Sequence, residues 1–450
     1  MRIPSTPPDI IKIFSDALSN NKQLLLKLVT EVDSVDGKQR YLHWDELKHR
    51  TPPDGLTSEQ WWAGMKRARK SLYQYLPFTD TNNNQFHFSI LNKVSADLHW
   101  LDMNAGGVIK SDEGIINPYT KAVFFKRSLE EEAINSSLLE GAVTTRHEAK
   151  KMIRSKREPR DKSEQMILNN YHAMQFINEN RDEKLTSSMV LELHRIVTEK
   201  TFETESKSGA FRAEKDIVEV VDNSSGEVLH TPPNANELSD RLDKLCMFAN
   251  QEDDSKFIHP LIKGIILHYV LAYDHPFIDG NGRTARALFY WAAISSGYWQ
   301  LEFVSISKVI YRAPAKYGRA FLFSETDDND ITYFLLHQVD VLMKAIHELQ
   351  EYLRQKLDGV RQAEKLLEQN RKLKGKLNFR QLALLRHALK HPNSLYLIKE
   401  HQLKHGISYE TARKDLLIMS DGLGLFKKLL DGKALVFNAP ENLEERIKAR

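Results

Sequence analysis

Cysteine is almost absent from this chain of 450 residues, because Cys246 is the only one. A single thiol excludes an internal disulfide and a cysteine-based metal cluster. Long apolar runs are also absent: the most apolar stretch, residues 261–273, contains Lys263 and His268 and is too short to span a bilayer. Residues 1–10 carry prolines and polar side chains where a signal peptide would have an apolar core. These absences predict a cytoplasmic, reducing compartment and no membrane partner.

Charge of one sign is not in excess either, since 64 basic and 61 acidic residues leave a formal net charge of +3. This balance predicts neither a nucleic-acid binder nor a membrane-surface protein from composition alone. Apolar residues make up 41% of the chain and charged residues 28%, as in globular proteins. The length suggests about three domains of roughly 150 residues.

Helical spacing of apolar residues dominates the chain, and the sequence shows no internal repeat. The fold class that this predicts is mainly α, with a small β-hairpin. Residues 1–115 form a first, mostly helical domain, with helices expected over residues 10–32 and 58–75. Its tryptophans, Trp44, Trp61 and Trp62, are expected in a core rather than a site.

The central domain is expected over residues 120–355. Ser128 and Glu131 form a capping box that predicts a helix start, and Gly141 is placed to end that helix. Thr145 and Glu148 form a second box, and helices are expected from there to about residue 200. Valines on either side of residues 222–226 predict a short hairpin. A helix is predicted over residues 261–273, followed by a break at 274–280 and a new helix from about 281.

The break between those two helices carries the most informative residues of the chain. Gly280 and Gly282 allow backbone N–H groups to approach a ligand closely, and the next helix directs its positive end to the same place. Such an arrangement suits a polyphosphate. Arg283 and Arg286 share a helix face and can bind further phosphate oxygens. Two further residues add chemistry: Asp279 offers an oxygen ligand for Mg²⁺, and His275 can act as a general base.

Residues 275–286 match His-x-Phe-x-Asp/Glu-Gly-Asn-Gly-Arg-x-x-Arg at every defined position, and the chain therefore resembles the Fic family. The resemblance covers about residues 120–350. It implies a Fic-type helical core and transfer of AMP from ATP to a protein hydroxyl. The second glycine and first arginine of the loop are present, which favours AMP transfer over the phosphotransferase branch of the family.

The resemblance also implies a role for each motif residue. His275 would deprotonate the target hydroxyl, and Asp279 would bind Mg²⁺ between the α- and β-phosphates. The nucleotide-binding set would be an anion hole with two phosphate-binding arginines and, downstream, a residue of the adenine region: Gly280, Asn281, Gly282, Arg283, Arg286 and Tyr317. Residues 305–307 and Arg319 resemble that adenine and ribose region, whereas Ser324 departs from the asparagine that relatives often carry.

Residues 136–141 match Ser/Thr-x-x-x-Glu-Gly/Asn, the pattern of Fic proteins that inhibit themselves through an N-terminal helix. Ser136 and Glu140 are four residues apart and share a helix face. A glutamate that reaches Arg286 would occupy the place of the γ-phosphate. The resemblance therefore implies an inhibitory helix over about residues 128–141.

The predicted hairpin resembles the family's target-binding flap. Residues 209–212 resemble the approach to it and residues 230–233 the exit, and an edge strand can align a peptide through main-chain hydrogen bonds. The flap residues expected to bind the target are Ile217, Val218 and Val220.

Residues 377–440 are predicted to form helices and a terminal hairpin, and they resemble the winged-helix modules found behind other Fic cores. Thr411, Arg413 and Lys414 could contact DNA, with protein docking as the equal alternative. Residues 371–376 are predicted to be a basic linker.

The leading hypothesis is thus a self-inhibited protein adenylyltransferase that uses ATP and Mg²⁺ on a Ser, Thr or Tyr hydroxyl, with a homodimer possible. Two alternatives remain open at this point. One is a de-AMPylating phosphodiesterase that uses the same site, with Glu140 orienting a water. The other is a DNA-binding regulator whose core senses nucleotide.

Overall fold

The computed structural model describes residues 2–53, 55–106, 118–203, 205–222, 225–251, 256–368, 376–391, 393–431 and 434–448. These residues form two compact units, residues 1–109 with 127–346, and residues 110–126 with 347–450. The fold class is mainly α, as the sequence predicts, and the few strands are short. The domain bounds at about 115, 120–355 and 377–440 stay a prediction.

The N-terminal part of the first unit contains five helices and a hairpin. Its elements are α1 Ile10–Asn20, α2 Lys22–Thr30, α3 Trp44–Leu47, α4 Ser58–Lys70, β1 Gln74–Thr79, β2 Gln85–Phe88 and α5 Asn92–Leu101. The predicted helix over 10–32 is wrong as a single helix, because the Asn21 side chain accepts from the Leu24 N–H and caps a new one. The helix from Ser58 ends at Lys70, and the antiparallel hairpin that follows it was not predicted. The three tryptophans belong to a cluster of α1, α2, α3 and α4, with Trp61 and Trp62 buried, as expected.

The rest of the first unit is helical around one antiparallel hairpin. The elements are α6 Pro118–Leu139, α7 Arg146–Ser155, α8 Lys162–Glu179, α9 Ser187–Thr198, β3 Val220–Val221, β4 Val228–His230, α10 Leu238–Asn250, α11 Pro260–Asp274, α12 Asn281–Ser295, α13 Ile306–Tyr311, α14 Pro314–Thr326 and α15 Thr332–Glu368. Residues 118–126 of α6 and 347–368 of α15 are assigned to the second unit. The described part of α6 begins before residue 128, so the predicted helix start at Ser128 is wrong. Its hydroxyl instead donates to the Val304 carbonyl at 2.9 Å. The cap at Thr145 is confirmed.

Helices α11 and α12 form the centre of this unit, with α8 and α9 packed on α12. Nearly every residue of both central helices is buried, which explains why α11 reads as almost continuously apolar. The two helices are joined by the loop 275–280, and this packing fixes the two sides of that loop. The candidate base and the candidate Mg²⁺ ligand predicted from the sequence lie in this loop.

A buried ionic cluster joins α4 to the segment between α14 and α15. Lys66 Nζ lies 2.8 Å from Asp327 Oδ1, and both side chains are almost inaccessible to solvent. Arg69 donates at 2.9 Å to the Ser34 carbonyl, the Leu42 carbonyl and the Tyr333 hydroxyl. Burial opposes the charge of Lys66, but Asp327 together with Tyr73, Asp330 and Asp328 outweighs it and raises the pKa of Lys66. The N-terminal helices are therefore an integral part of the unit that contains the loop.

The second unit contains four helices beyond α15 and a three-stranded sheet. The elements are α16 Phe379–Lys390, β5 Leu395–Leu397, α17 Ile398–His405, α18 Tyr409–Leu417, β6 Lys427–Asp431, β7 Ala434–Asn438 and α19 Leu443–Lys448, with strand order β5-β7-β6. The predicted helices and hairpin are found. The expected linker residues 371–375 and the hairpin residue Gly432 lie outside the described residues.

Within the described parts of the chain, no helix is both long and apolar enough to cross a membrane.

Candidate active site

The loop between α11 and α12 is closed by hydrogen bonds of its own residues. His275 ends α11 in the left-handed region at φ 46°, and its N–H donates to the Leu271 carbonyl at 3.1 Å. The Asn281 side chain accepts from the Phe277 N–H at 3.0 Å and donates to the Phe277 carbonyl at 2.8 Å. Asn281 thus fixes the loop with its amide, and its backbone begins α12.

His194 supports the same loop from α9, although the sequence analysis did not single it out. Its ring stacks on Phe277 with centroids 3.7 Å apart and planes 5° apart. Nδ1 accepts from the Gly209 N–H at 3.1 Å, so Nε2 carries the proton and donates to the Asp279 carbonyl at 2.9 Å. A histidine at helical spacing gives no sign of this role in the sequence.

A side chain at Gly280 or Gly282 would collide with neighbouring atoms. Gly280 has φ 87°, and a Cβ there would lie 2.8 Å from Thr198 Cγ2. A Cβ on Gly282 would overlap Glu140 Oε1 and lie 3.1 Å from Arg286 Nη1. The Glu140 carboxylate therefore lies directly over the first turn of α12, where the helix dipole attracts an anion.

Arg286 binds both predicted residues of the inhibitory helix. Its Nη2 lies 2.9 Å from Glu140 Oε1, while Nε donates to Ser136 Oγ at 2.9 Å and Nη2 to the Ser136 carbonyl at 3.0 Å. The Arg286 side chain is buried, whereas that of Glu140 is 30% exposed. The structure thus brings Ser136, Glu140 and Arg286 together, and their inhibitory role stays a prediction.

Asp279 and Arg283 form a second ion pair at the loop. Arg283 Nη2 lies 3.2 Å from Asp279 Oδ1, and Nη1 donates to the Val197 carbonyl at 3.0 Å. The Nε atom of Arg283 is buried and has no hydrogen-bond partner in the described ranges. Asp279 is 39% exposed, so its carboxylate is accessible at the loop rim. A buried guanidinium with an unsatisfied donor beside an accessible carboxylate fits a phosphate that carries Mg²⁺.

The candidate base His275 is held as a neutral imidazole. Burial lowers its pKa to about 4, and the positive charge of His230 acts in the same direction, whereas the Ala272 carbonyl opposes them. The carbonyl of His275 accepts from Arg212 Nε at 3.0 Å, and the Arg212 N–H donates to the Pro276 carbonyl at 3.0 Å. Above about pH 5 the ring is therefore available to accept a proton.

Burial lowers the pKa of His194 to about 4 as well. The unfolded chain binds this proton near the ordinary value of 6.5, so the stabilising contribution of neutral His194 is lost as pH falls from about 6.5 to 4. We expect His194→Gln to reduce the drop in free energy of unfolding between pH 7 and pH 5, measured by urea denaturation. An unchanged drop in this variant would contradict the assignment.

The residues predicted to contact adenine and ribose are more dispersed. Tyr317 Oη lies 2.8 Å from His268 Nε2, and burial of the phenol raises its pKa to about 12. The Ser324 hydroxyl is buried and donates to the Ala320 carbonyl at 3.1 Å, while Arg319 is exposed on α14. The roles of these residues stay predictions.

Ser305 and Ser307 bind a carboxylate that the sequence analysis missed. Buried Glu132 accepts from Ser305 Oγ at 2.8 Å, the Ser307 N–H at 3.1 Å and Tyr290 Oη at 2.9 Å. This network fixes α6 against the start of α13. A lone glutamate in a helical pattern carries no signal of such burial.

The predicted hairpin is present as β3 and β4, and we call residues 217–230 the flap. Ile217 is 90% exposed, whereas Val218 and Val220 are half-buried. Val220 pairs with His230 in the antiparallel ladder. Asn223 and Ser224 lie outside the described residues. The two ends of the flap meet the His275 segment, through Arg212 before it and His230 at its end.

Comparison with known proteins assigns these residues to a family. The sequence model of the Fic/DOC family matches residues 184–293, which include the α11–α12 loop. This chain carries a Fic domain. The match confirms the family that the loop motif indicated.

Curated relatives of the Fic domain are named protein adenylyltransferase Fic. The protein of Drosophila virilis is 34% identical over 128 residues, which are 28% of this chain and 24% of that protein. That of Drosophila willistoni is 35% identical over 128 residues, 28% of this chain and 23% of that protein. The chain thus matches about a quarter of the length of these relatives.

Among solved structures, a Fic family protein from Desulfovibrio desulfuricans G20 has a TM-score of 0.49 and 16% identity, covering 78% of this chain and 97% of that one. Fic-1 from C. elegans has a TM-score of 0.44 and 18% identity, covering 78% and 88% of the two chains.

Proposed function

We propose that this Fic-domain chain is a protein adenylyltransferase that transfers AMP from ATP to a Ser, Thr or Tyr hydroxyl and is inhibited by its own Glu140. The observation that carries the proposal is the Glu140 carboxylate, which lies over the α12 N-terminus against Arg286 and near enough to His275 for its charge to act on that ring. The names of the curated relatives support the same activity.

In the reaction, the target hydroxyl oxygen forms a bond to the α-phosphorus of ATP while neutral His275 accepts the hydroxyl proton. The bond between the α-phosphorus and the bridging oxygen to the β-phosphate breaks, and pyrophosphate leaves with its electron pair. The residues of the chain act mainly by positioning and charge stabilisation. The loop N–H groups and Arg283 bind phosphate oxygens, and Arg286 binds the γ-phosphate.

Asp279 would hold Mg²⁺, which binds as part of the ATP complex and neutralises phosphate charge. No group of three or more His, Cys, Asp or Glu residues suited to a metal was found in the described chain. This fits an ion whose other ligands are phosphate oxygens and water.

Inhibition follows from competition for Arg286. The Glu140 carboxylate takes the guanidinium and the space above Gly282 that the γ-phosphate needs, so ATP cannot bind with its α-phosphate towards His275. Ser136 holds the same guanidinium in place. The exposed Ile217 and the flap strand would align the target segment beside His275.

The proposed reaction uses no residue of the second unit and does not depend on oligomerisation. We propose a winged-helix-like module for residues 377–440, on the order of its helices and three-stranded sheet. Either DNA contact through Thr411, Arg413 and Lys414 or protein docking suits that fold. A homodimer and a cytoplasmic location remain part of the proposal.

The test compares wild type, Glu140→Gly and His275→Ala combined with Glu140→Gly, each incubated with α-labelled ATP and Mg²⁺. We expect weak labelling by wild type and an increase of about tenfold or more with Glu140→Gly. The substitution removes the Glu140–Arg286 ion pair, which competes with the γ-phosphate for Arg286 by about 1–2 kcal/mol. The double variant should return to background. Label is followed on the protein itself and on lysate proteins.

A Glu140→Gly protein that binds ATP but transfers no label would overturn AMP transfer as the main activity. Release of AMP from a labelled protein by wild type, lost with Glu140→Gly, would then point to the reverse reaction. Equal labelling by wild type and Glu140→Gly would overturn the inhibition.

A further inference from the structure

The end of the flap is held by a histidine whose two ring nitrogens both face acceptors. His230 Nε2 lies 2.7 Å from the Tyr273 carbonyl, and Nδ1 lies 2.7 Å from Glu325 Oε2. A neutral imidazole has one donor and can satisfy only one of these. The pair of His230 and Glu325 therefore holds one proton more than a neutral histidine beside a carboxylate.

The position of this contact links three elements of the site. His230 is the last residue of β4, Tyr273 lies two residues before His275 near the end of α11, and Glu325 lies on α14. The carbonyls in the last turn of a helix carry partial negative charge, so an imidazolium donating to one of them is favoured. The His230 side chain is 8% exposed, which strengthens both interactions.

We propose that protonated His230 is a positioning residue that fastens the flap to the His275 segment, and that loss of its proton releases the flap. We call the contacts of His230 with Glu325 and the Tyr273 carbonyl the flap latch. The consequence for catalysis rests on the proposed AMP transfer, whereas the latch itself is a property of the folded chain.

The charges around His230 favour its protonated form. Glu325 contacts it from α14, and from α11 come Asp274 and the Tyr273 ring, whose centroid lies 4.6 Å away. Burial opposes the charge, but Glu325, the Tyr273 carbonyl and Asp274 outweigh it and raise the pKa of His230.

Two cations lie near the latch, and both are already engaged. Arg241 on α10 lies 2.7 Å from Asp274 Oδ1 and offsets part of its charge. Arg212 donates to the carbonyls of Pro233 and His275. The remaining neighbour, His275, is neutral above about pH 5 because its pKa lies near 4.

The flap latch weakens as pH rises. Since the pKa of His230 is raised above 6.5, its contribution to holding the flap is complete below that value and is lost as pH rises through the folded-state pKa. After deprotonation the ring keeps one N–H, so a nitrogen lone pair faces either the Glu325 carboxylate or the Tyr273 carbonyl, and one of the two contacts becomes repulsive. The alkaline limb of AMP transfer would therefore report the latch, and the acid limb would report His275.

Glu325→Gln gives a sharp test, because an amide can either accept from protonated His230 or donate to neutral His230. This variant should retain the latch at pH 9 as well as at pH 6. In wild type, we expect the protection of flap amides against hydrogen exchange to fall about tenfold between pH 6 and pH 9, after correction for intrinsic exchange rates. A tenfold change corresponds to a shift of about one unit in the pKa of His230. His230→Gln should show low protection at both pH values.

The matched control is Asp102→Asn, which alters another histidine–carboxylate pair, His259 Nε2 to Asp102 Oδ1 at 3.0 Å. It should leave the pH dependence of flap protection as in wild type. All exchange measurements use the full chain without ATP, and AMP transfer is measured in parallel in the Glu140→Gly background.

The outcomes separate the two proposals. Loss of flap protection at pH 9 that Glu325→Gln prevents supports the latch, whether or not label is transferred. Flap protection that is independent of pH in wild type, or that falls equally in Glu325→Gln, overturns it. Absence of labelling in every variant with a normal exchange profile would overturn AMP transfer alone.

Discussion

Gly282→Ala is expected to lower AMP transfer in the Glu140→Gly background by about a hundredfold or more, the loss typical of removing one preorganised donor to a developing charge. A Cβ at residue 282 would lie 3.1 Å from Arg286 Nη1, in the space where phosphate oxygens approach the first turn of α12. The measurement is the initial rate of label transfer from α-labelled ATP, with ATP binding followed by calorimetry.

The same substitution also tests the contact with Glu140 without any assay of function. With Glu140 present, the methyl overlaps its carboxylate, so we expect a loss of about 1–3 kcal/mol in the free energy of unfolding. With Glu140→Gly the clash is absent, and alanine suits a helix better than glycine does. The loss should therefore disappear in the double variant.

Gly106→Ala is the matched control, because its Cβ would meet the Tyr298 ring at 3.6 Å and the Gly297 carbonyl at 3.8 Å, which are ordinary contact distances. It should change neither the transfer rate nor the stability by a comparable amount. If Gly282→Ala destabilised the chain equally with and without Glu140, the carboxylate would not lie over α12 in solution.

Lys66→Met is expected to cost about 3–5 kcal/mol of the free energy of unfolding, since it leaves the carboxylate of Asp327 buried without its cation. Lys66 Nζ lies 2.8 Å from Asp327 Oδ1, and both side chains are at most 2% exposed. Methionine keeps the length of the side chain, so the effect is mainly electrostatic. The measurement is urea denaturation of the full chain.

Lys93→Met is the control, because Lys93 is 65% exposed and its pair with Asp97 lies at the surface. We expect it to change stability by less than about 1 kcal/mol. Comparable losses for Lys66→Met and Lys93→Met would show that the buried pair is hydrated in solution.

Much of the helical fold could be predicted because apolar spacing and end signals are local. Thr145 was recognised as a cap, and the α11–loop–α12 arrangement followed from apolar periodicity and glycine. The misjudged elements depended on distant partners or on weak local signals. Ser128 reads as a cap in isolation, yet its hydroxyl donates to Val304, 176 residues away. The break at Asn21 rests on one side-chain hydrogen bond within a pattern that reads as continuous helix.

The candidate site was predicted where its residues are contiguous. His275, Asp279 and the two arginines lie within twelve residues, and Ser136 and Glu140 are four residues apart at the end of α6. The supporting residues His194, Glu132 and Glu325 come from separate helices. They form hydrogen bonds to the Asp279 carbonyl, to hydroxyl groups and the Ser307 N–H, and to the His230 ring, respectively. No local pattern marks such residues, because their roles arise only when the helices pack.

The N-terminal hairpin meets the segment before α15 through backbone as well as charge. The His87 N–H donates to the Asn329 carbonyl at 3.2 Å, and the Ile331 N–H donates to the His87 carbonyl at 2.8 Å. Residues 327–331, which lie beyond the stretch 184–293 matched by the Fic family model, therefore make main-chain and ionic contacts with the N-terminal part of the chain. Chimeras that exchange N-terminal regions between relatives would need to exchange the partners of Lys66, Arg69 and Tyr41 as one set.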